Sequence, residues 1–343
     1  MIRLYGIDKA EQWDSIVRSF AEWDVYYLSG YVKAFLTHGD GEPYLLYYEG
    51  DGISAIVVYM RRKTAVEGVY DIATPYGYGG VLFEGDTSES KLQMFWSEYL
   101  EKMRQENIVD GFVRYHPVLK NADLMKSISN VVDLSKTIAI DLSSPEVIWK
   151  NLSSKNHNMI HKSERNGIEI KHGRDLALLD HFRMIYNSTM EKDNAEDYYF
   201  FGKEFYESIH NDLTNHYEVF YALLNGEIIA MSIILTGSNQ MHYHLSGSKV
   251  EYRDLAPTNL LLYKVAIWGF ENGYKIFHLG GGFGSSEDNV YKFKAAYNRK
   301  SNYLFSVGKQ IYDQRRYDEL VTLRASQDPD FSPESKFFPL YRA

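Results

Sequence analysis

Between residues 217 and 245 the chain reads as three consecutive strands. Apolar runs at 217–224 and 228–235 flank Asn225-Gly226, a residue pair suited to a two-residue hairpin turn, and 240–245 follows a second polar break. The apolar segment 258–273 then has helical length, and 275–279 returns to strand character. A meander, a crossover helix and a further strand predict a mixed, mostly antiparallel sheet flanked by helices.

The first half repeats this plan. Asp8-Lys-Ala-Glu11 opens a helix to residue 20 in the manner of a capping box, and 43–49, Gly50-Asp-Gly52 and 53–60 form a hairpin. Asp86-Thr-Ser-Glu89 starts a helix with Leu92, Phe95, Trp96, Leu100 and Met103 at helical spacing, followed by strands at 112–117 and 131–142. Further helices are read at 155–165, stopped by Asn166-Gly167, and at 176–190, 202–213 and 289–297; Ser144-Pro145-Glu146 begins another with proline at its first position. The halves share an order of elements but no residue-level repeat. The expected fold class is α/β (α+β), with two domains, 1–140 and 141–325, and a loosely ordered tail, 326–343.

With 45% hydrophobic and 24% charged residues, the chain has material for sizeable cores. The absence of cysteine excludes disulfides, thiolate nucleophiles and Cys-ligated metals. No run reaches the ~20 apolar residues of a membrane span, and Lys264 interrupts 260–270, so a soluble, cytoplasmic protein is expected. Thirty-seven Lys and Arg against 46 Asp and Glu give a net charge of −9, unfavourable for DNA. Two segments run against that background: 150–174 has six basic residues to two acidic, and 292–316 has seven to one. They are either solvated helix faces or the walls of a pocket for a small phosphorylated ligand.

Several motifs have chemical potential. Thr74-Pro-Tyr-Gly-Tyr-Gly-Gly80 is a turn-rich loop offering the rings and hydroxyls of Tyr76 and Tyr78. Arg114 and His116 alternate on the expected strand, fit either for an anion or for a buried structural ion pair. His157 and His161 have a metal-compatible spacing, but a basic face holding phosphate suits their surroundings better. His242, His244 and His278 read as zinc ligands or as a polar pocket, with His244 a candidate general base. Leu279-Gly-Gly-Gly-Phe-Gly-Ser-Ser286 precedes a helix, so the amides of Gly281 and Gly282 and the helix N-terminus predict an anion site. Lys292 and Lys294 lie two apart and point differently, leaving one lysine to stabilise an oxyanion or carry a proton. Neither a Rossmann motif, a P-loop nor a Gly-x-Ser-x-Gly elbow is present, which argues against nucleotide cofactors and a covalent intermediate.

The sequence resembles the FemAB-like branch of the tandem GNAT-fold transferases, which attach amino acids or other acyl groups to cell-wall precursors. The likeness rests on Asp71 to Gly80, Arg114-Tyr-His-Pro117, Asp141-Leu-Ser143 leading into Ser154-Lys-Asn156, Thr189-Met190, Tyr198-Tyr-Phe200, Leu279-Gly-Gly-Gly282 and Phe293-Lys294. It implies two GNAT-like domains, with Lys294 assisting acyl transfer and Tyr198 or Tyr199 lining the pocket. Basic and polar residues, here Lys155, Asn156, Lys162 and Lys292, would hold a nucleotide-sugar or lipid-linked phosphate.

No permanent cofactor is implied; the acyl donor is aminoacyl-tRNA or acyl-CoA. The segment 248–257 lacks the glycines of a CoA pyrophosphate loop and carries Pro257 instead, whereas the net charge and the lack of a long charged helical hairpin disfavour tRNA. The expected activity is aminoacyl transfer to the amine of a phosphate-bearing peptidoglycan-type precursor, with membrane contact through a lipid-linked substrate. The alternatives are N-acylation of an amino sugar of a surface polysaccharide from a thioester, and a non-catalytic ligand-binding protein of the same fold.

Overall fold

An alternating stretch, Ile2–Gly6, forms β1, and α1 (Ala10–Ser19) after it buries Trp13 and Val17, four residues apart on one face. Helix α2 (Ser29–His38) ends at Gly39, whose φ of 97° supplies a left-handed cap. Asp51 and Gly52, both at positive φ, turn β2 (Glu42–Gly50) into β3 (Ile53–Lys63). Strands β4 (Tyr70–Ala73) and β5 (Val81–Gly85) both pair antiparallel with β3. Helix α3 (Glu89–Gln105) then buries Leu92, Phe95, Tyr99 and Met103 in one core cluster. Strand β6 (Ile108–Arg114) returns parallel to β4, followed by the short α4 (Ala122–Met125).

After β7 (Val131–Asp141), the side chains of Ser144 and Ser153 cap α5 (Pro145–Asn151) and α6 (Ser154–Arg165). Strand β8 (Glu169–Gly173) and helices α7 (Leu176–Lys192) and α8 (Lys203–Asp212) precede the meander β9 (Tyr217–Leu224), β10 (Glu227–Thr236) and β11 (Gln240–Ser248). Helix α9 (Pro257–Glu271) crosses over, β12 (Ile276–Gly280) runs parallel to β11, and α10 (Asn289–Ala295) follows. Leu260, Leu261, Leu262, Val265 and Ala266 of α9 are buried in one cluster with Ile234, Met241 and Phe277. Burying each leucine contributes about 1.5–3 kcal/mol, so the crossover helix anchors this sheet.

Strand β13 (Tyr303–Ile311) and α11 (Gln314–Gln327) complete the chain, of which the computed structural model describes residues 1–343. The chain divides into a first unit, Met1–Leu134 with Leu304–Ala343, and a second, Ser135–Tyr303. The first has strand order β1-β2-β3-β4-β6-β13 with β5 on β3; the second has β7-β12-β11-β10-β9-β8. In each, one pair is parallel, β4–β6 or β11–β12, with a helix crossing between its strands, and the other pairs are antiparallel. This is the mixed, mostly antiparallel fold class expected.

Two expectations change. The division into 141–325 and a loose tail gives way because the chain from Leu304 belongs to the first unit, where β13 pairs with β6. The last residues are docked: Tyr341 is buried, its hydroxyl donating to Asp71 Oδ2 at 2.9 Å and Asp110 Oδ2 at 2.7 Å. The strand expected at 112–117 ends at Arg114, so His116 is not on it. No helix is long and apolar enough to cross a membrane.

Candidate active site in the second unit

The parallel pair β11–β12 keeps register for three residues, Gln240↔Ile276, Met241↔Phe277 and His242↔His278, and then stops. On β11 the register against β10 slips between Ile233 and Ile234, leaving His244 as the extra residue of a bulge. On β12 it slips against β7 between His278 and Gly280. The facing edges beyond His242 and His278 therefore carry backbone groups with no strand partner, the kind a ligand can satisfy.

Lys294, in the last turn of α10, is folded back toward this opening. Its Nζ donates to the Gly281 carbonyl at 2.7 Å and lies 6.0 Å from the Tyr243 ring centroid. Burial pushes its pKa down to about 8, against a smaller upward pull from the Asp288 carboxylate. Asp288 caps α10: Oδ1 accepts from Tyr291 N–H at 2.8 Å, and Oδ2 from Phe283 N–H at 3.3 Å. A Cβ on Gly282 would strike the Ser286 carbonyl oxygen and come within 2.6 Å of Asp288 Oδ1, so only glycine allows the loop to double back. An ammonium held in this way has N–H groups to offer a carbonyl oxygen, and a pKa from which it can give up a proton near neutrality.

The histidines do not assist in the expected way. His242 and His278 are buried with rings 5.7 Å apart, and His278 Nε2 lies 2.9 Å from Thr137 Oγ1. Strand alternation puts Tyr243, and with it Lys294, on the face opposite His242. His244 is pushed down to about 3 by burial and then by His242. At neutral pH it is uncharged and too weak a base to deprotonate an ammonium, which corrects its expected catalytic role.

The helix N-terminus expected to hold an anion is already filled from within the chain. The carboxylate of Asp288 occupies the helix end and takes the Phe283 and Tyr291 amides, so Gly281 contributes its carbonyl to Lys294 and Gly282 its lack of a side chain. Lys292 is exposed. Lys155 and Lys162, two turns apart on α6, share a face, but Asn156 turns inward: it is 1% exposed, and its Oδ1 accepts from Asn259 Nδ2 at 2.7 Å, tying α6 to α9. That contact is structural, while Asn156 Nδ2 is buried without a hydrogen-bond partner. His157 stacks on Trp149 at 4.3 Å, with Nε2 at 2.9 Å from the Trp149 carbonyl oxygen, which occupies one of the two imidazoles considered for a metal. Tyr198 and Tyr199 pack edge to face in the turn between α7 and α8, with Tyr198 exposed. The basic stretch 292–316 is divided between the units, and Arg315 and Arg316 of α11 pair with Glu319 and Asp313, so it forms no single pocket wall.

In the first unit Tyr76, Tyr78 and Arg114 come together: the Arg114 guanidinium lies 5.8 Å from the Tyr76 ring, and Tyr78 is pushed up to about 12 by burial, less the pull of Arg114. His116 does not join them as a ligand. It is fully buried, with Nε2 2.7 Å from Asp24 Oδ2 and Nδ1 accepting from Leu119 N–H at 3.2 Å. Sequence spacing missed Asp24 because it lies over ninety positions earlier.

Residues 158–294, inside the second unit and ending on Lys294, match the family described as acetyltransferase (GNAT) domain. This segment of the chain is a GNAT-type acyltransferase domain. The fold of the whole chain is similar to that of FemX, with 14% identity, TM-score 0.68, and coverage of 92% of this chain and 99% of that one. It is also similar to L-PGS from Bacillus licheniformis (14% identity, TM-score 0.56, 89% and 92% covered). A C-terminal domain assigned to lysylphosphatidylglycerol synthetase from Agrobacterium fabrum gives 14% identity and TM-score 0.59 over 88% and 92%. The fold expected from the motifs is thus one the chain shares with FemX. Comparison with curated proteins finds no significant match.

Proposed function

We propose that this acyltransferase acts in cell-envelope biosynthesis, moving an aminoacyl group onto the amine of a phosphate-bearing peptidoglycan-type precursor. The observation that carries the reading is Lys294: a half-buried ammonium of lowered pKa beside the edge where β11 and β12 part. The acceptor amine, arriving uncharged, attacks the acyl carbonyl carbon; an N–C bond forms and the carbonyl π electrons move to oxygen. Lys294 donates a hydrogen bond to that oxyanion. As the C–O bond to the donor breaks, Lys294 hands a proton to the departing oxygen and the amine releases one to water. The fold likeness to FemX and to lysylphosphatidylglycerol synthetase domains supports aminoacyl chemistry. Lys155 and Lys162, on one face of α6 and without ion pairs, are proposed to meet the precursor's phosphates, and Tyr198 and Tyr199 to line its path.

The second reading, N-acylation from an acyl thioester with C–S cleavage, is favoured by the acetyltransferase description of the matched family. Acetyl-CoA and aminoacyl-tRNA, each offered with a UDP-muramyl-peptide and with an amino sugar, separate the two. Product only from aminoacyl-tRNA and the peptide supports the proposal; product only from acetyl-CoA replaces it with the thioester reading. Absence of product in every combination overturns both.

A further inference from the structure

The guanidinium of Arg114 makes no hydrogen bond and no ion pair, and its Nε is shielded from solvent without a partner. That is unusual, because a guanidinium carries five donors and a shielded, unmet donor costs free energy. Rings occupy its surroundings instead: Tyr76 at 5.8 Å and Phe305 at 5.7 Å. Such contacts attract the charge but leave every N–H unmet. The buried carboxylate of Asp24 is engaged by His116 at 2.7 Å and by Val25 N–H at 2.6 Å.

The frame around Arg114 is rigid. Its backbone N–H donates to Thr74 Oγ1 at 3.1 Å, its carbonyl accepts from Gly79 N–H at 2.7 Å, and it pairs with Val307 of β13. Tyr76 is pinned through its carbonyl by the Tyr31 hydroxyl, and Gly77, at φ 96°, lets the loop close against the Tyr26 ring. Tyr78 packs edge to face on Phe305 at 5.7 Å. A planar fork of donors held in place this way matches the paired oxygens of a phosphate or carboxylate.

We propose that Arg114, framed by Tyr76, Tyr78 and Phe305, is the anchor of an oxyanion-binding subsite in the first unit, taking the phosphate or carboxylate of a small-molecule ligand. It deepens the proposed function by giving an anionic acceptor a second hold, yet binding there requires no acyl transfer and is read separately from it.

The test is calorimetric titration of the full chain at low salt with inorganic pyrophosphate and, separately, with N-acetylalanine, alongside melting temperatures. The parent should bind one of the two, which identifies the source as phosphate or carboxylate. Arg114→Gln should weaken that binding by about tenfold or more, and Arg114→Lys by less, since it keeps the charge and loses the fork. Without probe, Arg114→Gln should melt at or above the parent's temperature, because the charge it removes has no partner to lose. Three results overturn the proposal: neither probe binds the parent at millimolar concentration, Arg114→Gln binds as the parent does, or Arg114→Gln melts well below it.

Discussion

Asp110 is fully buried in the first unit beside Asp71, and one phenolic hydrogen, that of Tyr341, faces both carboxylates. Arg62 and Arg342 each contact Asp71, at 2.6 and 2.5 Å, leaving Asp110 without a cation of its own, and its Oδ1 has no partner. Burial, and secondarily Asp71, push Asp110 from 3.8 up to about 7, against the Tyr341 hydrogen bond and the two arginines. When Asp110 holds a proton, its own O–H can donate to Tyr341 while Tyr341 donates to Asp71; when it ionises, one carboxylate goes without. The folded state thus keeps a proton that the unfolded chain has lost between about pH 4 and 7, and stability falls as pH rises through that window. The rise to about 7, at about 1.4 kcal/mol per pH unit, sets a ceiling of roughly 4 kcal/mol for the penalty above neutrality. Urea unfolding of the parent should show about 1.4 kcal/mol less stability from this group at about pH 8 than at about pH 6. Asp110→Asn, equal in volume and always supplied with N–H donors, should remove that dependence and gain roughly 2 kcal/mol at pH 8. An Asn variant less stable than the parent at both pH values, or with an unchanged slope, refutes the reasoning.

Other consequences follow from single contacts. Gly282→Ala should destabilise the loop and abolish acyl transfer, whereas Gly281→Ala, whose Cβ would meet nothing closer than 3.5 Å, should keep at least wild-type-like folding by circular dichroism. Asp24→Ala removes the buried carboxylate 2.7 Å from His116 Nε2 and should cost about 3–5 kcal/mol in urea unfolding, a larger loss than Lys292→Ala at an exposed position. Asp288→Asn removes the carboxylate that holds the Lys294 pKa up, so the alkaline limb of the pH–rate profile, near about 8 in the parent, should move to lower pH; an unmoved limb would assign it to another group.

Local signals in the sequence located most elements of the second unit. Asn225-Gly226 fixed the β9–β10 turn, and the apolar length of α9 separated it from the strands around it. Strands whose reason for existing is a distant partner were not legible: β13 has its neighbour β6 almost two hundred positions earlier, and the docking of Tyr341 and Arg342 depends on Asp71 and Asp110. The glycine run before α10 pointed to a lysine but left Lys292 and Lys294 open; the family resemblance chose Lys294, and only the fold shows its hydrogen bond to the Gly281 carbonyl. His244 and Asn156 could not be judged in that way. A histidine's basicity and an asparagine's availability are set by burial and by side chains on other elements, here His242 and Asn259.

Single-turnover acyl transfer by Lys294→Met, with the donor and acceptor that the parent uses, addresses the amine directly. Methionine retains the side chain's length and apolar packing while removing the charge. A rate lower by about 10²–10³, with the melting temperature preserved, is the expected result; a rate within about twofold of the parent's would mean that the ammonium has no part in the chemistry.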